Sequence, residues 1–265
     1  MTAFVLKIVA TFAMLLDHTC AVFPTVFPFF FRYIGRIAFP VYAYMIAQGC
    51  KHTRNINKYL LRLGIFAIVS EIPFDLAFRG EINFIKDTNI FYTLFLGAAC
   101  ITVYRKLNEK LLAPKEESAP DRRHKLIPIT LSVLCMIPIA LLGNLLSTDY
   151  GTPGVVYIVI FYFMKPEHRL LRTVAAFGIV FYMYGYPIVQ SMSGSYGGII
   201  NALGSFSEAI MIVSIHRIYF FLFALISVLL ICIYNDKLGP KLKWLFYAFY
   251  PAHLAILAAV KHLID

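Results

Sequence analysis

Nine stretches of this chain each supply most or all of the roughly 20 apolar residues that a helix needs to cross the hydrocarbon core of a bilayer. They fall at about 3–23, 34–50, 59–78, 88–104, 127–147, 151–164, 171–190, 217–234 and 244–263. A bilayer interior holds no water to satisfy backbone amides, so such runs must be helical. The expected fold is therefore all-α: a polytopic transmembrane helical bundle of about nine spans, a single domain over 1–265. The sixth run is short and either crosses with little tilt or dips. Composition agrees, with 60% hydrophobic and 14% charged residues, against about 45–50% and about 25% in soluble domains. The first run carries Lys7, Asp17 and His18 and lacks a small-residue cleavage site. It reads as a span and not as a signal peptide.

Positive residues stay on the cytoplasmic side, and they set the orientation. Lys51, Arg54, Lys58 and Arg62 follow the second run, and Arg105, Lys106, Lys110, Lys115, Arg122, Arg123 and Lys125 follow the fourth. Lys165, Arg169 and Arg172 follow the sixth, and Lys237, Lys241 and Lys243 the eighth. Segment 79–87 is balanced, and 191–216 has no lysine or arginine. The N-terminus is expected inside, in the bacterial cytoplasmic membrane. Residues 191–216 read as a glycine-rich turn followed by a re-entrant or interfacial helix. If that stretch crosses instead, there are ten spans and the C-terminus changes side. Segment 105–125 reads as a mobile cytoplasmic linker.

The net charge of +10 does not form basic patches interleaved with exposed aromatics, so nucleic acid is not an expected partner. Cys20, Cys50, Cys100, Cys135 and Cys232 lie far apart without metal-ligand spacing. They read as small buried side chains, and no metal is expected.

Ionisable residues at membrane depth need a partner or a purpose. In the assigned topology Asp17, His18, Arg36, Glu71, Asp75, Asn89, Asp149 and Tyr150 all fall in the outer half of the membrane, and His253 lies nearer the midplane. Glu71 and Asp75 share one helix face at i,i+4, and Lys7, Thr11 and His18 keep to one stripe. A wet polar chamber opening outward is one reading. The other is structural: Arg36 forms an ion pair with Asp17 or Asp75 that fixes helix register, and His253 only hydrogen-bonds a carbonyl. His52, His124, His168, His216 and His262 read as solvated, and 194–198 as a turn rather than a phosphate cradle. Imidazole beside a carboxylate is a general base, which suits acyl transfer. A histidine–acid chain equally suits a proton-coupled transporter or exporter.

Several segments resemble the TraX family. They are AxxxMLLDH (Ala10 to His18), YIGRIAFPVYAYMIAQGCKHTRN (Tyr33 to Asn55), YLLRLGIFAIVSEIPFDLAF (Tyr59 to Phe78), NIFYTLFLG (Asn89 to Gly97), DYGTPGVVYIVIFYF (Asp149 to Phe163) and KWLFYAFYPAHLAIL (Lys243 to Leu257). The family takes its name from an inner-membrane protein that acetylates the N-terminus of conjugative pilin. The resemblance implies an integral membrane acyltransferase moving an acetyl group from acetyl-CoA, or another acyl-CoA, to an amine or hydroxyl at the outer face. It implies His18 as catalytic base, Asp17 as its orienter and Arg36 as the residue that holds charge on the donor or the oxyanion. Asp149 and Tyr150 would line the acceptor entrance, and Glu71, Asp75, Asn89 and His253 the substrate-binding chamber. The expected partners are acyl-CoA, membrane lipids and an acceptor that is a pilin-like peptide, a glycan or a lipid. The basic segments 51–62 and 237–243 are candidates for holding the phosphates of the donor.

Overall fold

The structure is a computed structural model that describes residues 1–84, 87–111, 122–164, 168–189, 208–240 and 242–264, the side chains of 122–128 and 208–214 excepted. Among the described residues it is helical throughout, without strands. The helices are α1 (Ala3–Val22), α2 (Phe30–Gly35), α3 (Ala38–His52), α4 (Ile56–Phe78), α5 (Ile90–Leu111), α6 (Arg122–Leu145), α7 (Gly151–Phe163), α8 (Arg169–Val180), α9 (Glu208–Cys232) and α10 (Lys243–Ile264). A π-helical turn, Phe181–Gly185, continues α8.

Among the described residues the apolar runs are thus largely helical, the second being broken at Arg36 and Ile37, where α2 gives way to α3. Ala3–Val22, Ile90–Leu111, Ile215–Cys232 and Lys243–Ile264 are long and apolar enough to cross a membrane, four helices among the described residues. Helix α4 shows what solvent it was built for. Leu61, Ile65, Ile68, Ile72 and Leu76 are exposed along one side, while Leu63, Ala67, Ser70, Glu71 and Asp75 are buried on the other. A helix on a water-soluble protein does the reverse. With its carboxylates inside and its isoleucines outside, α4 has the pattern of a helix whose outer side meets an apolar solvent.

The boundaries correct two expectations. Helix α5 runs on to Leu111 and α6 begins at Arg122, so much of the supposed linker 105–125 is helical. The extension is held by local chemistry: Arg105 pairs with Glu109 at 3.8 Å, and Asn108 donates to Ser132 Oγ across to α6 at 3.0 Å. Residues 112–121 lie outside the described residues. At the other place, Glu208 to His216 form the first turns of α9 itself, not a separate interfacial helix. The glycine-rich 194–198 also lies outside the described residues.

The chain divides into two compact units. The first comprises Met1–Tyr42, Met164–Phe246 and Ala259–Asp265. In it α1 packs on α2, and α9 packs on α8, on the π turn and on α2. Thr2 caps α1 by accepting from the Val5 amide, which satisfies one of the orphan donors of a helix start. The same end is tied to the segment after α9. Ala3 N donates to Lys237 O at 2.8 Å, Phe4 N to Leu238 O at 3.1 Å and Asn235 N to Met1 O at 3.0 Å.

The second unit comprises Ala43–Phe163 and Tyr247–Ala258. Helix α5 is central to it, packing on α4, α6 and α7 around Leu96, Cys100, Met136 and Val155. Gly97 and Gly143 let the helices close. A Cβ at Gly143 would stand 2.7 Å from the Gly151 carbonyl carbon and 2.8 Å from the Thr152 amide nitrogen. Backbone cannot rotate away as a side chain can, so Gly143→Ala is expected to cost about 2–3 kcal/mol, the upper part of the overpacking range. Gly178→Ala is the control, because its Cβ meets nothing within 4 Å. A Gly143→Ala protein that melts no lower than Gly178→Ala would refute this account of the α6–α7 hairpin.

Candidate functional site

The sequence-predicted residues fall into the two units, three in the first and six in the second. In the first unit, Asp17 on α1 is the anchor. Its Oδ1 accepts from Arg36 Nη2 at 2.8 Å and from Arg32 Nη1 at 3.0 Å. Arg36 Nε also donates to the Arg32 carbonyl at 3.1 Å, and its guanidinium lies 5.1 Å from the Phe220 ring centre. Gly35 makes the approach possible, since a Cβ there would overlap the Asp17 side chain. The ion pair weighed for Arg36 is with Asp17. Arg32, second on the same oxygen, lies in the short helix α2 itself and carries no sequence signal that pairs it with Asp17. His18 follows Asp17 on α1 and is half-buried.

Lys7 and Thr11 continue that helix. Thr11 donates to the Lys7 carbonyl at 2.7 Å and shares a 2.6 Å hydrogen bond with the Tyr42 hydroxyl. Lys7 Nζ sits 5.5 Å from the centre of the Phe246 ring. His216 is not the solvated residue expected: Nδ1 is hydrogen-bonded to the Tyr33 hydroxyl, and Phe29 packs on the ring at 4.8 Å. Arg172 is also corrected. It is 1% exposed, one turn inside α8, and meets Asp236 Oδ1 and the Tyr234 carbonyl at 3.3 Å each.

In the second unit, Glu71 and Asp75 are wholly buried on α4 and are satisfied in different ways. Glu71 Oε2 accepts from the Asn89 backbone amide at 3.1 Å and from the Asn89 side-chain amide. Asn89 also donates to Ala67 O at 2.8 Å and accepts from Phe91 N at 2.9 Å, so one side chain joins α4 to the start of α5. Glu71 Oε1 is buried without a hydrogen-bond partner among the described residues. Asp75 Oδ1 takes Arg79 at 2.9 Å, and its Oδ2 takes the Asn83 amide at 2.6 Å. Arg79 had been read only as balanced loop charge, although its i,i+4 spacing from Asp75 is visible in the sequence.

Asp149 and Tyr150 sit in the turn between α6 and α7. That turn is laced to the start of α5 by Thr88 N to Ser147 O and Asp149 N to Thr88 O, both 3.1 Å. Thr93 Oγ1 reaches Thr148 Oγ1 at 3.0 Å. Asp149 is exposed and Tyr150 half-buried. Tyr250 lies within electrostatic reach of both Asp149 and Glu71. His253, one turn on, is buried, and its Nδ1 meets the Phe249 carbonyl at 2.8 Å. A ring that donates from Nδ1 keeps the lone pair on Nε2 when neutral.

Buried carboxylates, outward-facing apolar stripes and four helices long and apolar enough to cross a bilayer, on one helical chain, define a membrane protein. The sequence profile described as "TraX protein" matches residues 3–261, and the chain belongs to the TraX family. It is also similar to the "Probable fimbrial assembly protein FimC, serogroup H1" of Dichelobacter nodosus, at 24% identity over 98% of this chain and 96% of that one. No solved structure matches the chain.

Proposed function

We propose that this protein is a multi-pass acyltransferase of the cytoplasmic membrane, moving an acetyl group from acetyl-CoA to an amine or hydroxyl at the outer face. One observation carries the reading: beside half-buried His18, two guanidinium groups share a single oxygen of Asp17. Two cations against one carboxylate leave net positive charge next to a general base. That combination is what a tetrahedral oxyanion asks for, in a setting that is only partly exposed to solvent. His18 would take the proton from the acceptor as its nitrogen or oxygen attacks the thioester carbonyl. The carbon–sulfur bond then breaks, and the departing thiolate receives the proton. Arg36 would hold the charge that passes through the oxyanion, and Asp17 would hold Arg36 while orienting His18.

The family name and the likeness to a fimbrial assembly protein favour an exported pilin-type peptide amine as acceptor, ahead of a glycan or a lipid. Nine spans with the N-terminus inside are supported by the backbone bonds that hold Met1–Phe4 to 235–238, since that topology puts both on the cytoplasmic side.

The test is CoA release by the purified protein in nanodiscs given acetyl-CoA. Wild type should turn over slowly, and His18→Ala should be slower by at least about a hundredfold, the low end of what a general base supplies. Full activity in folded His18→Ala would remove the mechanism. A proton-coupled transporter is favoured by one specific feature, the unpartnered Oε1 of wholly buried Glu71. Substrate uptake that follows the pH gradient, with no CoA release, would select it.

A further inference from the structure

Away from the acidic residues, cations converge on Cys50 at the opposite end of the second unit. Arg105 Nη1 donates to the Cys50 carbonyl at 2.9 Å. Lys51 Nζ lies 5.9 Å from the Tyr162 ring centre, and Tyr162 is within electrostatic reach of Arg105 and Cys50. Arg62 lies over the rings of Tyr59 and Tyr247 at 5.7 and 6.0 Å. Both tyrosines are also within electrostatic reach of Arg62 and of Cys50. Gly49 leaves the room that the Tyr59 hydroxyl fills. The ends of α3, α5 and α7 and the beginnings of α4 and α10 thus bring three cations into one neighbourhood. Glu109 pairs with Arg105 from a position 69% exposed.

Positive residues gather at cytoplasmic ends without binding anything, but such side chains point outward to water. Lys58 does so, one turn before Arg62 on α4, and is exposed. Arg62 does not. Its Nε is buried and has no hydrogen-bond partner among the described residues. A buried donor on a guanidinium, walled by neutral tyrosines, costs free energy unless something accepts from it.

We propose that Lys51, Arg62 and Arg105 form a binding site for a phosphate-bearing ligand. The planar arginine forks match phosphate oxygens, and the lysine adds a point charge. Tyr59, Tyr162 and Tyr247 line the site as neutral walls. This narrows the expectation for 51–62 to particular side chains, brings in Arg105, and does not require the ligand to be an acyl donor. The phosphate can belong to a soluble phosphoanhydride or to a lipid headgroup, and the experiment separates the two.

Calorimetric titration of pyrophosphate into the protein in phosphatidylcholine nanodiscs is the first arm. Arg62→Gln and Lys51→Gln are each expected to weaken binding about tenfold, the effect of losing one charge-assisted hydrogen bond. Lys58→Gln should bind as wild type does. The second arm repeats the titration with phosphatidylglycerol in the disc. Pyrophosphate affinity that falls in wild type but not in Arg62→Gln assigns the site to lipid headgroups, and unchanged affinity assigns it to a soluble ligand. Equal binding by wild type, Arg62→Gln and Lys51→Gln, with all three melting alike, overturns the proposal. So does a wild type that binds neither pyrophosphate nor phosphatidylglycerol through Arg62. A protein that binds pyrophosphate through Arg62 yet never releases CoA keeps this site and loses the acyl-transfer reading.

Discussion

Asp17→Ala is expected to destabilise the folded protein by about 3 kcal/mol, the low end of what stripping a buried ion pair of one partner costs, because this pair is only partly buried. The reason is geometric. Arg32 and Arg36 both lie within 3.0 Å of one Asp17 oxygen, so removing the carboxylate leaves two guanidinium groups facing each other with nothing between them. Adding Arg36→Met to Asp17→Ala should recover much of the loss, because the remaining Arg32 is 30% exposed along its side chain and can turn toward the interface. Thermal unfolding of the two variants beside Arg36→Met alone closes the cycle. The two roles of Arg36 then separate. If it only fixes helix register, Arg36→Met alone folds and stays active, because Asp17 keeps Arg32; if it also holds reaction charge, Arg36→Met folds and is inactive. A single Asp17→Ala that melts as wild type does would remove the ion pair from the account of stability altogether.

Asn89→Ala should cost a comparable 3–5 kcal/mol, for a different reason. One amide side chain here bonds Glu71, Ala67 and Phe91. Its loss leaves the Phe91 amide and a Glu71 oxygen short of partners in a buried place, at about 1–3 kcal/mol for each neutral group and more for a charged one. Asn89→Asp is the informative companion. It keeps the acceptor for Phe91 N but sets a carboxylate against Glu71, so it should be stable only where one of the two acids is protonated. Melting temperature that rises as pH falls identifies that shared proton, and Asn89→Asp that melts as wild type does at every pH contradicts the arrangement.

These partnerships show what a sequence carries and what it does not. The lipid-facing design of α4 was legible: its apolar and polar residues alternate with helical period, and the acids at 71 and 75 lie on one face. Asp75 with Arg79 was legible too, because Arg79 follows directly on α4 as its C-cap, four residues after Asp75 and so within reach of it. Asn89 with Glu71 follows once α4 and α5 are read as an antiparallel hairpin. Arg172 with Asp236 was not legible. The two lie 64 residues apart, and a basic residue near a predicted helix start looks the same whether it faces water or a buried carboxylate. Cys50 was similar, because a cysteine in an apolar run says nothing of the cations that other helices bring to it.

The first unit is assembled from pieces that leave the ribosome at very different times. Helix α1 is made first, whereas the segment that holds its amino end, 233–238, is made after more than four-fifths of the chain. Throughout that interval a helix with an aspartate in its body has to reside in or near the translocon. Its partners Arg32 and Arg36 come only 15 and 19 residues after Asp17, so the charge can be neutralised within the first hairpin, long before the late segment arrives. A ribosome-bound chain truncated after α3 should therefore insert α1 stably, and the same truncation carrying Arg32→Ala and Arg36→Ala should leave α1 extractable by alkali.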